Sequence, residues 1–213
     1  MKTDHLIRLL ATEASAAPQH PLERRFALAM VLGFVAAVVL VLLGYGIRPD
    51  LAASMQLPMG WMKFGFAATL AAFAGAAVLR FARPGMRTSG VLLLSAAPVA
   101  LLWAVAAWAL AGAPPDMRLA LVMGSSWRSC PFSIAALSLP GLVALLWAMR
   151  RAAPTRLRGA GAAAGLLSAA LATLAYALHC PEMEAPFLAR WYVLGIAVPT
   201  ALGAALGPRV LRW

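Results

Sequence analysis

The stretch FALAMVLGFVAAVVLVLLGYGI, residues 26–47, holds no charged side chain. At 1.5 Å of rise per residue, a helix of this length reaches about 30 Å, the thickness of a bilayer's hydrocarbon core. Nothing in it alternates with period two, so it does not read as a strand of a membrane barrel. Five further blocks read the same way: Phe64–Leu79, Val91–Ala111, Phe132–Met149, Gly159–Leu178 and Trp191–Leu206. The composition agrees. The chain is 63% hydrophobic and 12% charged, where a soluble domain is about half apolar and a quarter charged. The expected fold is all-α: a polytopic integral membrane protein with six transmembrane helices.

The charges sit between these blocks. A net charge of +11 is a feature of nucleic-acid binders, but here Lys and Arg fall in the loops, as membrane topology demands. No direct nucleic-acid binding is expected. With the N-terminus inside, the inner segments carry Lys2, Arg8, Arg24, Arg25, Arg80, Arg83, Arg87, Arg150, Arg151, Arg156, Arg158, Arg209 and Arg212. The outer loops carry only Arg48, Lys63, Arg118, Arg128 and Arg190. That asymmetry predicts both termini in the cytoplasm. The first apolar run is too long for a signal-peptide core and no small-residue cleavage site follows it, so it is expected to remain as an anchor.

Two regions result. Residues 1–25 form a cytoplasmic N-terminal segment and residues 26–213 the six-helix transmembrane domain. In the first, MKTDHLIRLLATEA reads as a short amphipathic helix whose apolar face is Leu6, Ile7, Leu9 and Leu10. It is too short to span, and either lies on the inner leaflet or docks a cytosolic partner. SAAPQHP follows as a tether. Among the outer loops, RPDLAASMQLPMGWMK ends in Trp61 and Lys63, read as interfacial anchors. LALVM (119–123) is too short to cross and reads as an interfacial or re-entrant turn. Gly161 with Gly165, and Gly203 with Gly207, are spaced for close helix packing within the bundle.

Chemistry is sparse. The six apolar blocks lack Asp, Glu, Lys, Arg and His, which weighs against a proton-coupled transporter or pump. No P-loop, HExxH, GxSxG or CxxC motif is present, so no enzyme activity is expected. What remains is Cys130 in SSWRSCPF, Cys180 in ALHCPEMEAP, His179, and Glu182 or Glu184. The assigned topology puts both cysteines at the outer face, at the start of the fourth block and the end of the fifth. The intervening loop is short, so these spans should be antiparallel neighbours about 8–10 Å apart. Three readings stay open: a disulfide, a soft-metal site of two thiolates with His179, or two unpaired half-buried thiols.

Several motifs together resemble a known family. They are the start MKTDHLIRLLA, RPDL at 48–51, RPG at 83–85, GSSWRSC at 124–130, APTR at 153–156, ALHCPE at 177–182 and GPRVLRW at 207–213. The chain is similar over nearly its whole length to the bacterial membrane anti-sigma factors called negative regulator of sigma F. The resemblance implies an inner-membrane protein that holds an extracytoplasmic-function sigma factor inactive. It also implies a periplasmic cysteine pair, Cys130 and Cys180, tied to redox or heavy-metal signals, with transient metal binding there and no resident cofactor. Leu6, Ile7, Leu9 and Leu10 then become the candidate sigma-binding face. Two rivals are a transporter or efflux component for a metal or small solute, and a membrane redox enzyme. The uncharged blocks count against the first and the missing CxxC against the second.

Overall fold

The computed structural model describes residues 3–13, 21–152 and 154–212, and every regular element among them is helical. A short helix, α1 (Thr3–Glu13), comes first. Six helices follow that are long and apolar enough to cross a membrane. They are α2 (Pro21–Gly44), α4 (Pro58–Phe81), α5 (Ser89–Gly112), α7 (Cys130–Arg150), α8 (Leu157–Tyr176) and a last continuous span over Ala185–Val210. That span is built from α9 (Ala185–Phe187), a wider π-type turn over Leu188–Tyr192, and α10 (Val193–Val210). Two shorter helices lie in loops, α3 (Leu51–Ser54) and α6 (Pro115–Met123). Prolines open α4, α6 and α7, where a missing N–H costs nothing and the fixed φ suits the first turn. Of the tether read at residues 15–21, all but Pro21, the first residue of α2, lie outside the described residues.

The helix α8 is the hub. It packs against α2, α4, α7 and α10, and most of it is buried. Its small residues make this possible. A side chain on Gly161 would strike the Gly203 carbonyl, and one on Gly165 the Pro199 carbonyl. The paired glycine spacings therefore form one seam on which α8 and α10 touch backbone to backbone, as the sequence led one to expect. Helix α5 is peripheral, resting on α4 and on the start of the last span. The outward surface is apolar: Leu43 is 83%, Trp108 80% and Phe132 75% exposed, the inverse of a soluble fold and suited to lipid.

The basic loops gather at one end. Arg83 pairs with Glu23 at 2.6 Å, and Arg156 donates to the Thr88 hydroxyl at 3.1 Å. The loops after α2, α6 and α8 gather at the other end. The core divides accordingly. One cluster near the basic end includes Phe26, Phe81, Leu145 and Met149. The other, near the opposite end, includes Ile134, Tyr176, Phe187, Tyr192 and both cysteines.

Two sequence expectations are corrected. The second candidate span starts at Pro58 and the last at Ala185, so Lys63 and Arg190 fall inside helices long and apolar enough to cross a membrane, and these helices are not charge-free. Trp61 is 63% exposed, as an anchor should be, but Lys63 is only 2% exposed. Polar composition at the mouth of α4 mimics a loop, yet the ammonium is buried because backbone carbonyls from another loop receive it.

The seam generates a prediction. Gly165→Leu should lower resistance to unfolding in a detergent titration by about 1–3 kcal/mol or prevent folding, because overpacking forces the helices apart. Gly75→Leu, where nothing stands within 4 Å of the added carbon, should leave the transition nearly unmoved.

Candidate functional site

The end of α8 is followed by His179, Cys180, Pro181, Glu182 and Met183, and nearly everything polar at this end of the bundle converges on that segment. The Cys180 carbonyl accepts two cations. Lys63, in the second turn of α4, donates from Nζ at 2.6 Å, and Arg48 donates from Nη1 at 3.1 Å. Lys63 also donates to the Glu182 carbonyl at 3.1 Å. Arg48 is held from behind by a forked pair to Asp50, 2.8 Å from Nε and 2.6 Å from Nη2. Its backbone N–H donates to the Leu178 carbonyl at 3.1 Å. The Asp50 hydrogen bonds raise the Arg48 pKa against the cost of burial, and the same bonds lower that of Asp50.

Both sequence-predicted cysteines are wholly buried. Cys130 is the first residue of α7 and Cys180 lies four residues beyond Tyr176, the last of α8. Although fifty residues apart in the chain, the two free thiols lie in one buried cluster at the same end of the bundle. The α7–α8 antiparallel pairing brings their ends together, and the hydrogen bond from Cys180 N–H to the Tyr176 carbonyl, at 3.0 Å, turns the chain inward. The Cys130 thiol contact holds the Cys180 pKa below the ordinary thiol value. Burial opposes this, and the Lys63 charge adds to it. The Tyr192 hydroxyl, supplied by the π-type turn, is fully buried without a hydrogen-bond partner and interacts electrostatically with both sulfurs.

His179 points elsewhere. Its Nδ1 lies 3.1 Å from the Gly46 carbonyl, and its ring packs on Tyr45 and Tyr176 at 5.1 and 5.8 Å. Among the described residues no group of three or more His, Cys, Asp or Glu stands close enough to hold a metal ion. On α1, Ile7 is 58% exposed; the side chains of Leu6, Leu9 and Leu10 lie outside the described residues.

A loop closes the thiol site from above. Glu182 Oε1 accepts from the Ser125 N–H and hydroxyl, both at 2.7 Å, and from the Ser126 N–H and hydroxyl at 3.0 and 3.2 Å. Burial alone would raise the Glu182 pKa, but these donors outweigh it and the net direction is down. Gly124 makes the latch possible. Its φ of +54 with ψ of −165 is a conformation open essentially to glycine, and a side chain there would strike Glu182 and Phe187. Below the latch, Trp127 packs on Trp191 at 5.4 Å, and the Trp191 ring N–H donates to the Val122 carbonyl at 2.8 Å. Sequence reasoning missed Lys63, Arg48 and Tyr192 as parts of the site. The pointer to Lys63 was present, as a lysine within helical reach of an apolar run.

With this geometry in view, comparisons with known proteins become informative. The family model described as negative regulator of sigma F matches residues 10–213. The chain belongs to this family. A relative from Azospira oryzae, named probable anti-sigma-F factor NrsF, is 46% identical over the full length of both chains. Another from Caulobacter vibrioides, named anti-sigma-F factor NrsF, is 40% identical, again over the full length of both. No solved structure matches. The resemblance read from GSSWRSC, ALHCPE and GPRVLRW is thereby shown.

The latch yields a prediction with a definite sign. Because its pKa is lowered by folding, Glu182 contributes stability above the ordinary glutamate value and loses it as pH falls through the lowered value. Glu182→Gln, which removes the charge at all pH values, should expose the thiols and speed their alkylation by iodoacetamide at neutral pH. Acidifying the unaltered protein through the carboxylate range should weaken the 124–126 contact, read as faster amide hydrogen exchange at Ser125 and Ser126. Unchanged rates in both experiments would mean that the latch does not gate the thiols.

Proposed function

We propose that this protein is a non-enzymatic regulator of transcription in the bacterial inner membrane. It sequesters a sigma factor of the extracytoplasmic-function class at its cytoplasmic face and releases it when Cys130 and Cys180, on the periplasmic face, are oxidised to a disulfide. The orientation is supported by the basic loops, which lie at the end opposite the thiols. The sigma-factor partner is supported by family membership and by the names of the full-length relatives. One observation carries the sensing role: two thiols from distant parts of the sequence, buried in one cluster beside a latched loop. Oxidation is favoured over capture of a metal by Cys130, Cys180 and His179, because among the described residues these side chains do not form a group that could hold a metal ion. The thiols also face the compartment in which disulfides persist.

Sigma release follows from a change in the relation of α7 to α8. Each carries one cysteine at one end and flanks the basic 151–156 loop at the other. A new covalent link at the thiol end alters the packing of both helices, and the bundle transmits it as a shift between two states. The docking element is α1, whose Ile7 presents an exposed apolar side chain, together with Leu6, Leu9 and Leu10 on the sequence-derived face.

In cells carrying a sigma-dependent reporter, Cys130→Ser, Cys180→Ser and the double change should give one and the same response to oxidant, because losing either partner loses the pair. Independent, additive effects would refute the paired switch. Leu6→Glu with Leu10→Glu should derepress the reporter while the protein stays in the membrane. Burial of a leucine is worth about 1.5–3 kcal/mol, so binding should fall by more than about tenfold. Retained sigma binding would assign α1 to the membrane surface. Reporter fusions after Leu79 and Met149 should score cytoplasmic, and those after Gly112 and Leu178 periplasmic; the reverse pattern would overturn the orientation.

A further inference from the structure

The two thiols are not equivalent in their surroundings. Lys63 is buried to 2% exposure and donates to two backbone carbonyls, and no carboxylate forms an ion pair with it among the described residues. A buried ammonium with only neutral acceptors is costly unless an anion stands nearby. The Asp50 carboxylate interacts with it electrostatically but is taken up by its forked pair with Arg48; the other groups around it that can become anionic are the Cys180 and Cys130 sulfurs and the Tyr192 hydroxyl, over whose ring Nζ lies at 5.7 Å. Cys180 is singled out by position: Lys63 Nζ and Arg48 Nη1 both donate to its own carbonyl, at 2.6 and 3.1 Å. From these elements we infer that Lys63 is the counter-ion of a Cys180 thiolate, which makes Cys180 the thiol that attacks the oxidant and Cys130 the thiol that resolves it. The inference rests on the redox reading of the pair and adds an order of events and a positioning residue to it.

The substrate class that fits is a small hydroperoxide, able to enter a buried site once the latch moves. The Cys180 thiolate attacks one peroxide oxygen. An S–O bond forms, the O–O bond breaks, and the departing hydroxide takes up the proton that Cys180 released on ionising, leaving one water and a sulfenic acid on Cys180. The Cys130 sulfur then attacks Cys180 sulfur. The S–S bond forms, the S–O bond breaks, and the second hydroxide takes the Cys130 proton. Two thiols are oxidised, one hydrogen peroxide is reduced and two waters are released. The ionisation of Cys180 is set by the groups that face it: Lys63 from α4, Arg48 from the loop after α2, Cys130 from α7, Tyr176 from α8, Tyr192 from the last span, and Glu182 within its own loop. His179 is turned away. The direction of the Cys180 shift, below the ordinary thiol value, agrees with the geometry.

The test uses the full-length protein in detergent or nanodiscs, with each thiol followed by mass spectrometry. At mildly acid pH, iodoacetamide should label Cys180 at least about tenfold faster than Cys130, since only the thiolate reacts. Lys63→Gln keeps a hydrogen-bond donor for the carbonyls but removes the charge. It should move the midpoint of the Cys180 pH profile upward, and Lys63→Arg should restore it. An unshifted profile in Lys63→Gln would overturn the counter-ion role. A second measurement needs no change at Lys63. Hydrogen peroxide with dimedone should trap a sulfenic acid on Cys180 in Cys130→Ser protein and leave Cys130 unmodified in Cys180→Ser protein. Equal trapping, or the reverse order, would overturn the assignment even if the wild-type disulfide forms normally. Failure of peroxide to form any disulfide in the wild type would instead refute the redox reading itself.

Discussion

One carbonyl oxygen organises the thiol end of the bundle. Cys180 offers it to Lys63 and to Arg48 together, at 2.6 and 3.1 Å. A lysine ammonium taken from water loses more hydration energy than a single neutral hydrogen bond returns. It therefore holds the chain that can surround it. The 178–183 segment is that chain, and it comes from a different part of the sequence than α4 or the loop after α2. Ion and segment fix each other, and the fixing of the segment sets the Cys180 sulfur against Cys130. Glu182 is then in position to reach the Ser125 and Ser126 donors. Removing the Lys63 ammonium would leave the Glu182 carbonyl without this donor and the Cys180 carbonyl with Arg48 alone.

The transmission of a thiol event depends on how rigid the bundle is. The α8–α10 seam is backbone on backbone, with glycine on both sides, so these helices cannot slide without losing many close contacts at once. Helix α5 lies outside this core. A pull applied at the Cys130 and Cys180 ends acts on α7 and α8, which also carry the buried residues Leu145, Met149 and Ala160 near the basic end. A packed core of this kind moves between discrete arrangements rather than deforming smoothly. Under the proposed reading, one arrangement keeps the sigma factor and the other lets it go.

The six long apolar helices were legible because charge-free runs of this length admit little else, and the basic loops ordered them into two ends. That Cys130 and Cys180 lie at the same end of the bundle followed from the short loop between their helices. Lys63 was misread for a physical reason: hydropathy measures a residue's cost in lipid and takes no account of a partner supplied by another loop. Its carbonyl acceptors lie more than a hundred residues away in the chain. The start of the last span was missed likewise, because PEMEAPFLAR carries charges where the helix already begins at Ala185. Tyr192 reaches the sulfurs through a π-type turn, and no periodicity argument built on 3.6 residues per turn registers such a turn. The role given to His179 assumed that neighbours in sequence share a site, and the turn after Tyr176 sends the two side chains apart. The Glu182 latch needed Gly124, whose left-handed φ is visible only in the folded chain.

The most direct test is a binding measurement across the membrane. The sigma factor's affinity for the full-length protein in lipid nanodiscs is to be compared for the dithiol form, the Cys130–Cys180 disulfide form and the disulfide form after reduction. Coupling between distant sites in proteins is worth about 1–3 kcal/mol, or roughly 5–150-fold in affinity. Oxidation should weaken sigma binding within that range, and reduction of the same sample should restore it. Equal affinity in all three states would show that the thiols and the sigma factor are not coupled.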